Sequence, residues 1–95
     1  MELYLLVQKE IAVLKIRDQG HDIDSVQVGY HHDLGQILVK ALDTLLRKNI
    51  IGIASVSSFT LESPLGSDST AYRIGQSFIE ALKTPIQIIN KRAQG

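Results

Sequence analysis

Between Asp33 and Asn49 the apolar residues fall at Leu34, Ile37, Leu38, Ala41, Leu42, Leu45 and Leu46. Steps of three and one place them on a single stripe of a 3.6-residue helix. Asp33 with Gln36 three residues on has the form of a capping box. Arg47 and Lys48 close the last turn, where cations suit the helix dipole, and Asn49 is a terminator. A helix with so broad an apolar stripe has to lie on something apolar, and this constrains the chain more than any other feature.

A second helix follows the turn-rich loop Leu61-Glu62-Ser63-Pro64-Leu65-Gly66-Ser67. Asp68 or Ser69 caps it. Ala71, Ile74, Gly75, Phe78 and Leu82 form one face, with Tyr72 and Ile79 beside it, and Pro85 stops it near Thr84.

The strands are read from alternation and β-branching. Ser25 to Tyr30 alternates, with Val26, Val28 and Tyr30 on one side. Ile50 to Val56 and Ile86 to Ile89 are short and β-branched, as in buried strands. The first 18 residues fit either one helix or two strands, Leu3–Val7 and Ile11–Arg17. The alternation of Ala12, Leu14 and Ile16 with Val13, Lys15 and Arg17 favours two strands. Gln19-Gly20 then turns into the next strand. The order is β-β-β-α-β-α-β, which predicts an α/β domain: a mixed five-stranded sheet covered by helices.

Composition narrows the function. The chain of 95 residues reads as one domain, and a domain this small gains from association. Ten basic and ten acidic residues cancel, and the basic pairs Lys91-Arg92 and Arg47-Lys48 form no stripe, so direct nucleic-acid binding is not expected. The absence of cysteine excludes disulfides and thiolate sites, and fits a cytoplasmic protein. The apolar run Leu3 to Val7 is too short for a membrane span and has no basic leader before it.

Two segments resemble the TsaB (YeaZ) family. Leu38-Val39-Lys40-Ala41-Leu42-Asp43-Thr44-Leu45-Leu46 is similar to its "LLPxIDxLL" helix. Ser69-Thr70-Ala71-Tyr72-Arg73-Ile74-Gly75-Gln76-Ser77-Phe78 is similar to its "SFTGLRIGxxxA" segment, with Thr70, Arg73, Ile74 and Gly75 matching outright. Ala81-Leu82-Lys83-Thr84-Pro85-Ile86 resembles the "ALxxPI" ending. The resemblance implies a ribonuclease-H-like lobe of the actin and Hsp70 superfamily, residues 1–95 forming a single N-terminal lobe. It also implies a non-catalytic role in making threonylcarbamoyladenosine on tRNA, through pairing with a TsaD-like protein or with itself. Family members have two lobes and more than twice this length. Pro64-Leu65-Gly66-Ser67 replaces their "GPG", and Leu6-Val7-Gln8 stands where they have "DTS".

The residues themselves argue against catalysis. An actin-like ATPase holds metal and phosphate just after its first strand, where Val7, Gln8 and Lys9 offer no acid. A ribonuclease H needs carboxylates on its first and fourth strands, and Ile50 to Val56 has none. His31 and His32 are adjacent and point apart on an extended segment. Asp22 and Asp24 share a strand face and read as a solvated edge. Ser55, Ser57 and Ser58 have no histidine context for a triad. No cofactor or metal is expected. The apolar surface of the two helices remains. Leu34, Ile37, Leu38, Leu42 and Leu45 on the first, with Tyr72, Arg73, Phe78, Ile79 and Leu82 on the second, are the candidate interface. Side by side, two such helices would form a four-helix contact in an isologous dimer. The competing reading is a ligand-binding or enzymatic domain with a pocket near Pro64–Ser69; a third is an α/β protein unrelated to tRNA modification.

Overall fold

The computed structural model describes residues 1–83. It contains strands β1 (Glu2–Gln8), β2 (Ile11–Asp18), β3 (His21–Gly29) and β4 (Ser58–Glu62), and helices α1 (Leu34–Lys48) and α2 (Thr70–Lys83). The four strands form one sheet in the order β3-β2-β1-β4. β1, β2 and β3 are an antiparallel meander, and β4 returns parallel to β1.

The opening residues are therefore two strands, as their alternation predicts. Leu3, Leu5 and Val7 lie opposite Ile16, Leu14 and Ala12, and all six are fully buried or nearly so. Residues of the other parity, such as Tyr4 and Lys15, occupy the outer face. There the Arg17 guanidinium carbon lies 5.0 Å from the Tyr4 ring centroid, and Arg17 donates to Asp22 at 2.7 Å. Both hairpins turn through residues at positive φ: Glu10 at 65° in the first, and Gln19 at 52° with Gly20 at 82° in the second. Two successive positive values are the signature of the turn whose twist matches paired strands.

A register shift at Ile16/Arg17 sets Asp24 opposite Ile16 and Asp22 opposite Arg17. The extra residue, Ile23, is pushed outward and half exposed. Asp22 and Asp24 consequently do not share a face: the bulge breaks the two-residue period between them. Asp22 pairs with Arg17, whereas Asp24 accepts from Asn49 at 3.0 Å and from Lys48 at 3.3 Å at the C-terminal end of α1.

The fourth strand is displaced from Ile50–Val56, the span its β-branched residues suggest. Those residues instead end α1. Ile51 N–H reaches the Leu46 carbonyl at 2.9 Å and Ile50 N–H reaches Arg47 at 3.2 Å, the paired bonds of a Schellman cap. Ile50 takes the left-handed position, φ 55°, and is 94% exposed. A short 3-10 turn, Ile53–Ser55, follows, and Ser57 N–H bonds to the Met1 carbonyl at 2.9 Å to open the pairing with β1. Phe59 and Leu61 then face the helices opposite Leu3 and Leu5, while Thr60 and Glu62 face outward. The sheet has four strands among the described residues rather than five; the strand expected at Ile86 to Ile89 lies outside them.

Both helices cover one face of the sheet, α1 over β2 and β3 and α2 over β1 and β4. The core is Leu3, Leu5, Val7, Leu14 and Ile16 below, with Leu34, Leu38, Leu42 and Leu45 above. The capping box is not formed. The Asp33 carboxylate turns back to His31 N–H at 3.2 Å and makes no bond into α1. At α2 it is Ser69 that caps, accepting from Tyr72 N–H at 3.4 Å.

Candidate functional site

The two helices lie side by side, and small residues set how closely they approach. A Cβ on Gly35 would stand 3.8 Å from Ile74 on α2. One turn on, Val39 projects outward at 60% exposure. From α2, Thr70, Ile74, Ser77 and Ala81 follow steps of four, three and four, a line on one helix face. With Arg73 and Phe78 they and the α1 residues border a groove of about 440 Å³ whose lining is mostly apolar. Arg73 stands at its rim, its guanidinium donating to the Ser67 carbonyl at 3.4 Å. The groove is a surface that can hold an apolar side chain or helix ridge, with a cation at one border.

The expected interface residues divide. Leu34, Leu38, Leu42 and Leu45 are buried against the sheet, as is Ile79, which is 4% exposed. They sit in the core because the sheet face they cover is apolar from Leu3 to Ile16, while Ile37 and Leu46 at the margin of the stripe stay half-buried. Ile37, Tyr72, Phe78 and Leu82 are half-buried and Arg73 is exposed. Of these, only Arg73 and Phe78 line the groove. Sequence reasoning passed over Gly35, Val39, Thr70, Ser77 and Ala81. The signal was present in Val39, an apolar residue lying off the leucine stripe, and in the second periodic line of α2.

A smaller cleft of about 290 Å³ opens near the Pro64–Ser69 loop, between the first hairpin and the start of α2. Lys9, Glu10, Tyr30, His31, His32, Leu65, Ser69 and Ala71 line it. Tyr30 is fixed there, its N–H bonded to the Glu10 carbonyl at 3.0 Å and its hydroxyl to the Gln8 carbonyl. Both histidines are exposed. No group of three or more histidines and acids suited to a metal ion occurs among the described residues.

Carboxylates on the first and fourth strands must now be read from β4. Glu2 pairs opposite Ser58 and Glu62 opposite Leu6, so their backbone positions are four residues apart along the paired strands, about 13 Å, and the Glu2 carboxylate accepts from the Thr60 hydroxyl at 3.3 Å. The Tyr4 hydroxyl holds Glu62.

No family model matches the chain, and no curated protein matches it. Solved structures do. YeaZ from Pseudomonas aeruginosa superposes with a TM-score of 0.71 over 92% of this chain, at 18% identity. The fold is that of a YeaZ lobe. A second structure, an uncharacterized protein from the same organism with similarity to peptidase YeaZ, gives a TM-score of 0.67 over 92% of the chain at 19% identity. The chain spans about two fifths of each: 41% of the first and 40% of the second. The Arg73-Ile74-Gly75 segment that carries the sequence resemblance to YeaZ sits at the middle of this arrangement. Gly75 lies on the sheet, Ile74 in the groove, and Arg73 at its rim. Among the described residues no helix is long and apolar enough to cross a membrane.

Proposed function

We propose that this chain is a non-catalytic docking protein of the YeaZ type. It acts in tRNA threonylcarbamoyladenosine formation by pairing with a TsaD-like protein or with a second copy of itself. The observation that carries the reading is the apolar groove between α1 and α2, with Val39 exposed at its border and Phe78 half-buried along it. A partner helix laid in this groove would complete a four-helix contact. Helices of 15 and 14 residues give faces about 22 Å long, enough for the roughly 800 Å² per partner of a standard interface. No cofactor takes part in this role.

Co-purification of the full chain with a TsaD-type protein tests it. Retention by the wild type and loss in Val39→Asp and Phe78→Asp support the reading. Val39 is exposed, so its variant keeps the fold. Absence of binding to both a TsaD-type protein and a second copy sinks it, as does binding that neither substitution changes.

A further inference from the structure

The edge of β3 offers a second docking place, away from the α1–α2 groove. β3 has β2 on one side and no strand on the other among the described residues. Tyr30 N–H points inward to the Glu10 carbonyl at 3.0 Å. Bonding direction alternates along an antiparallel strand. Val26 and Val28 therefore bond inward with Tyr30, while Ser25, Gln27 and Gly29 direct their backbone groups away from the sheet. Ser25 N–H is already taken, by the Asp24 carboxylate at 2.8 Å. That closes one end of the edge, a common defence against unwanted pairing. Among the described residues, the stretch from Gln27 to Gly29 has no such cover.

Beside this open stretch, between β3 and α1, runs a shallow groove of about 250 Å³. Val26, Val28, Ile37, Lys40, Ala41 and Thr44 line it. It is several times the roughly 30 Å³ that a water occupies. An open strand edge next to an apolar groove is the geometry of strand addition. Main-chain bonds hold an extended peptide, and its alternate side chains enter the groove. Lys40 is the one charged residue of the lining, and no acid among the described residues is paired with it.

We propose that the β3 edge receives an extended peptide from a partner, with an aliphatic side chain in this groove and a carboxylate on Lys40. A second copy fits less well. A copy paired through the same edge would bring a second Lys40, a like charge rather than a carboxylate, to the groove that Lys40 lines.

Selection from a random heptapeptide library with free C-termini, on the immobilised full chain, tests this. The expected binders carry aliphatic residues at alternate positions and an acidic residue or terminal carboxylate. A synthetic binder should lose about tenfold or more in affinity against Gln27→Pro, which deletes an outward N–H and leaves the ladder intact. It should lose as much against Lys40→Glu, an exposed change that checks the result independently of proline. Val39→Asp should leave it unaffected, which separates this edge from the helix groove. No enrichment, or binders indifferent to both Gln27→Pro and Lys40→Glu, overturns the proposal. So does protection of the Gln27 and Gly29 amides from hydrogen exchange in the chain alone, which would mean that a second copy or the chain itself covers the edge.

Discussion

Gly75 lies on Val7 so closely that a Cβ added to it would stand 3.0 Å from the valine Cγ2, with Leu61 at 3.5 Å and Leu5 at 3.6 Å. Helix α2 can rest on β1 and β4 at this distance only because that position has no side chain. Alanine would gain roughly 1 kcal/mol of helix propensity. It would also press on a β-branched, fully buried neighbour that has little freedom to give, and overpacking typically costs about 1–3 kcal/mol. Gly75→Ala should therefore lower the urea midpoint modestly, and Gly75→Leu should lower it far more. A higher midpoint for the alanine variant would mean that the helix sits less tightly than described.

Ile50 gives the opposite case. It is a β-branched residue at φ 55°, in the position of the α1 cap that glycine usually fills, and it is 94% exposed. Relief of left-handed strain is worth about 1–2 kcal/mol, less the 0.5–1 kcal/mol entropic cost of glycine. Ile50→Gly should stabilise by up to about 1.5 kcal/mol, seen as a Tm rise of roughly 4–8 °C per kcal/mol for a domain of this size. Unchanged or reduced thermal stability would show that the cap does not take this form.

Adjacent positions in α1 separate core from surface. Leu38 is fully buried and Val39 is 60% exposed. Leu38→Ala should cost about 2–5 kcal/mol, and Val39→Ala should stay within about 0.5 kcal/mol. Equal costs in chemical denaturation would contradict the orientation of α1 on the sheet.

The Asn49 side-chain amide, then Ser25 N–H, hold the Asp24 carboxyl below the ordinary carboxylate range; partial desolvation opposes them, and Lys48 adds to the lowering. A carboxyl with a depressed folded-state pKa stabilises the fold above its unfolded value, near 3.9. That contribution disappears as pH falls through the folded value. Asp24→Asn should thus lower stability at pH 7 and flatten its acid dependence, the two stability curves drawing together as pH falls through the folded value. Parallel pH profiles for wild type and variant would exclude this linkage.

Much of the architecture was legible in local pattern. The alternation of Leu3 to Ile16 gave two strands, and the spacing of Leu34 to Leu46 gave α1. The fourth strand was misplaced because Ile50, Ile51 and Ile53 carry stronger β-propensity than Ser58 to Glu62. Propensity is blind to the helix cap that uses the isoleucines, whereas the polar–apolar alternation of Ser58, Phe59, Thr60, Leu61 and Glu62 marked the true strand. The bulge that parts Asp22 from Asp24 left no sequence trace. The candidate site was half readable. A leucine stripe announces an apolar face but not what covers it. The sheet took Leu34, Leu38, Leu42 and Leu45, and the groove fell to residues outside the stripe, Gly35 and Val39. Small residues such as Thr70, Ser77 and Ala81 carry no pattern loud enough to be chosen before the two helices are placed side by side.

The docking role rests on whether the α1–α2 groove binds another chain in solution. Multi-angle light scattering of the 10.5 kDa chain, alone and mixed with a TsaD-type protein, measures it directly. The wild type should run as a dimer or enter the mixed complex, with Val39→Asp reverting to the monomer mass. A wild-type monomer that ignores the partner, or an assembly that Val39→Asp leaves intact, would contradict the account.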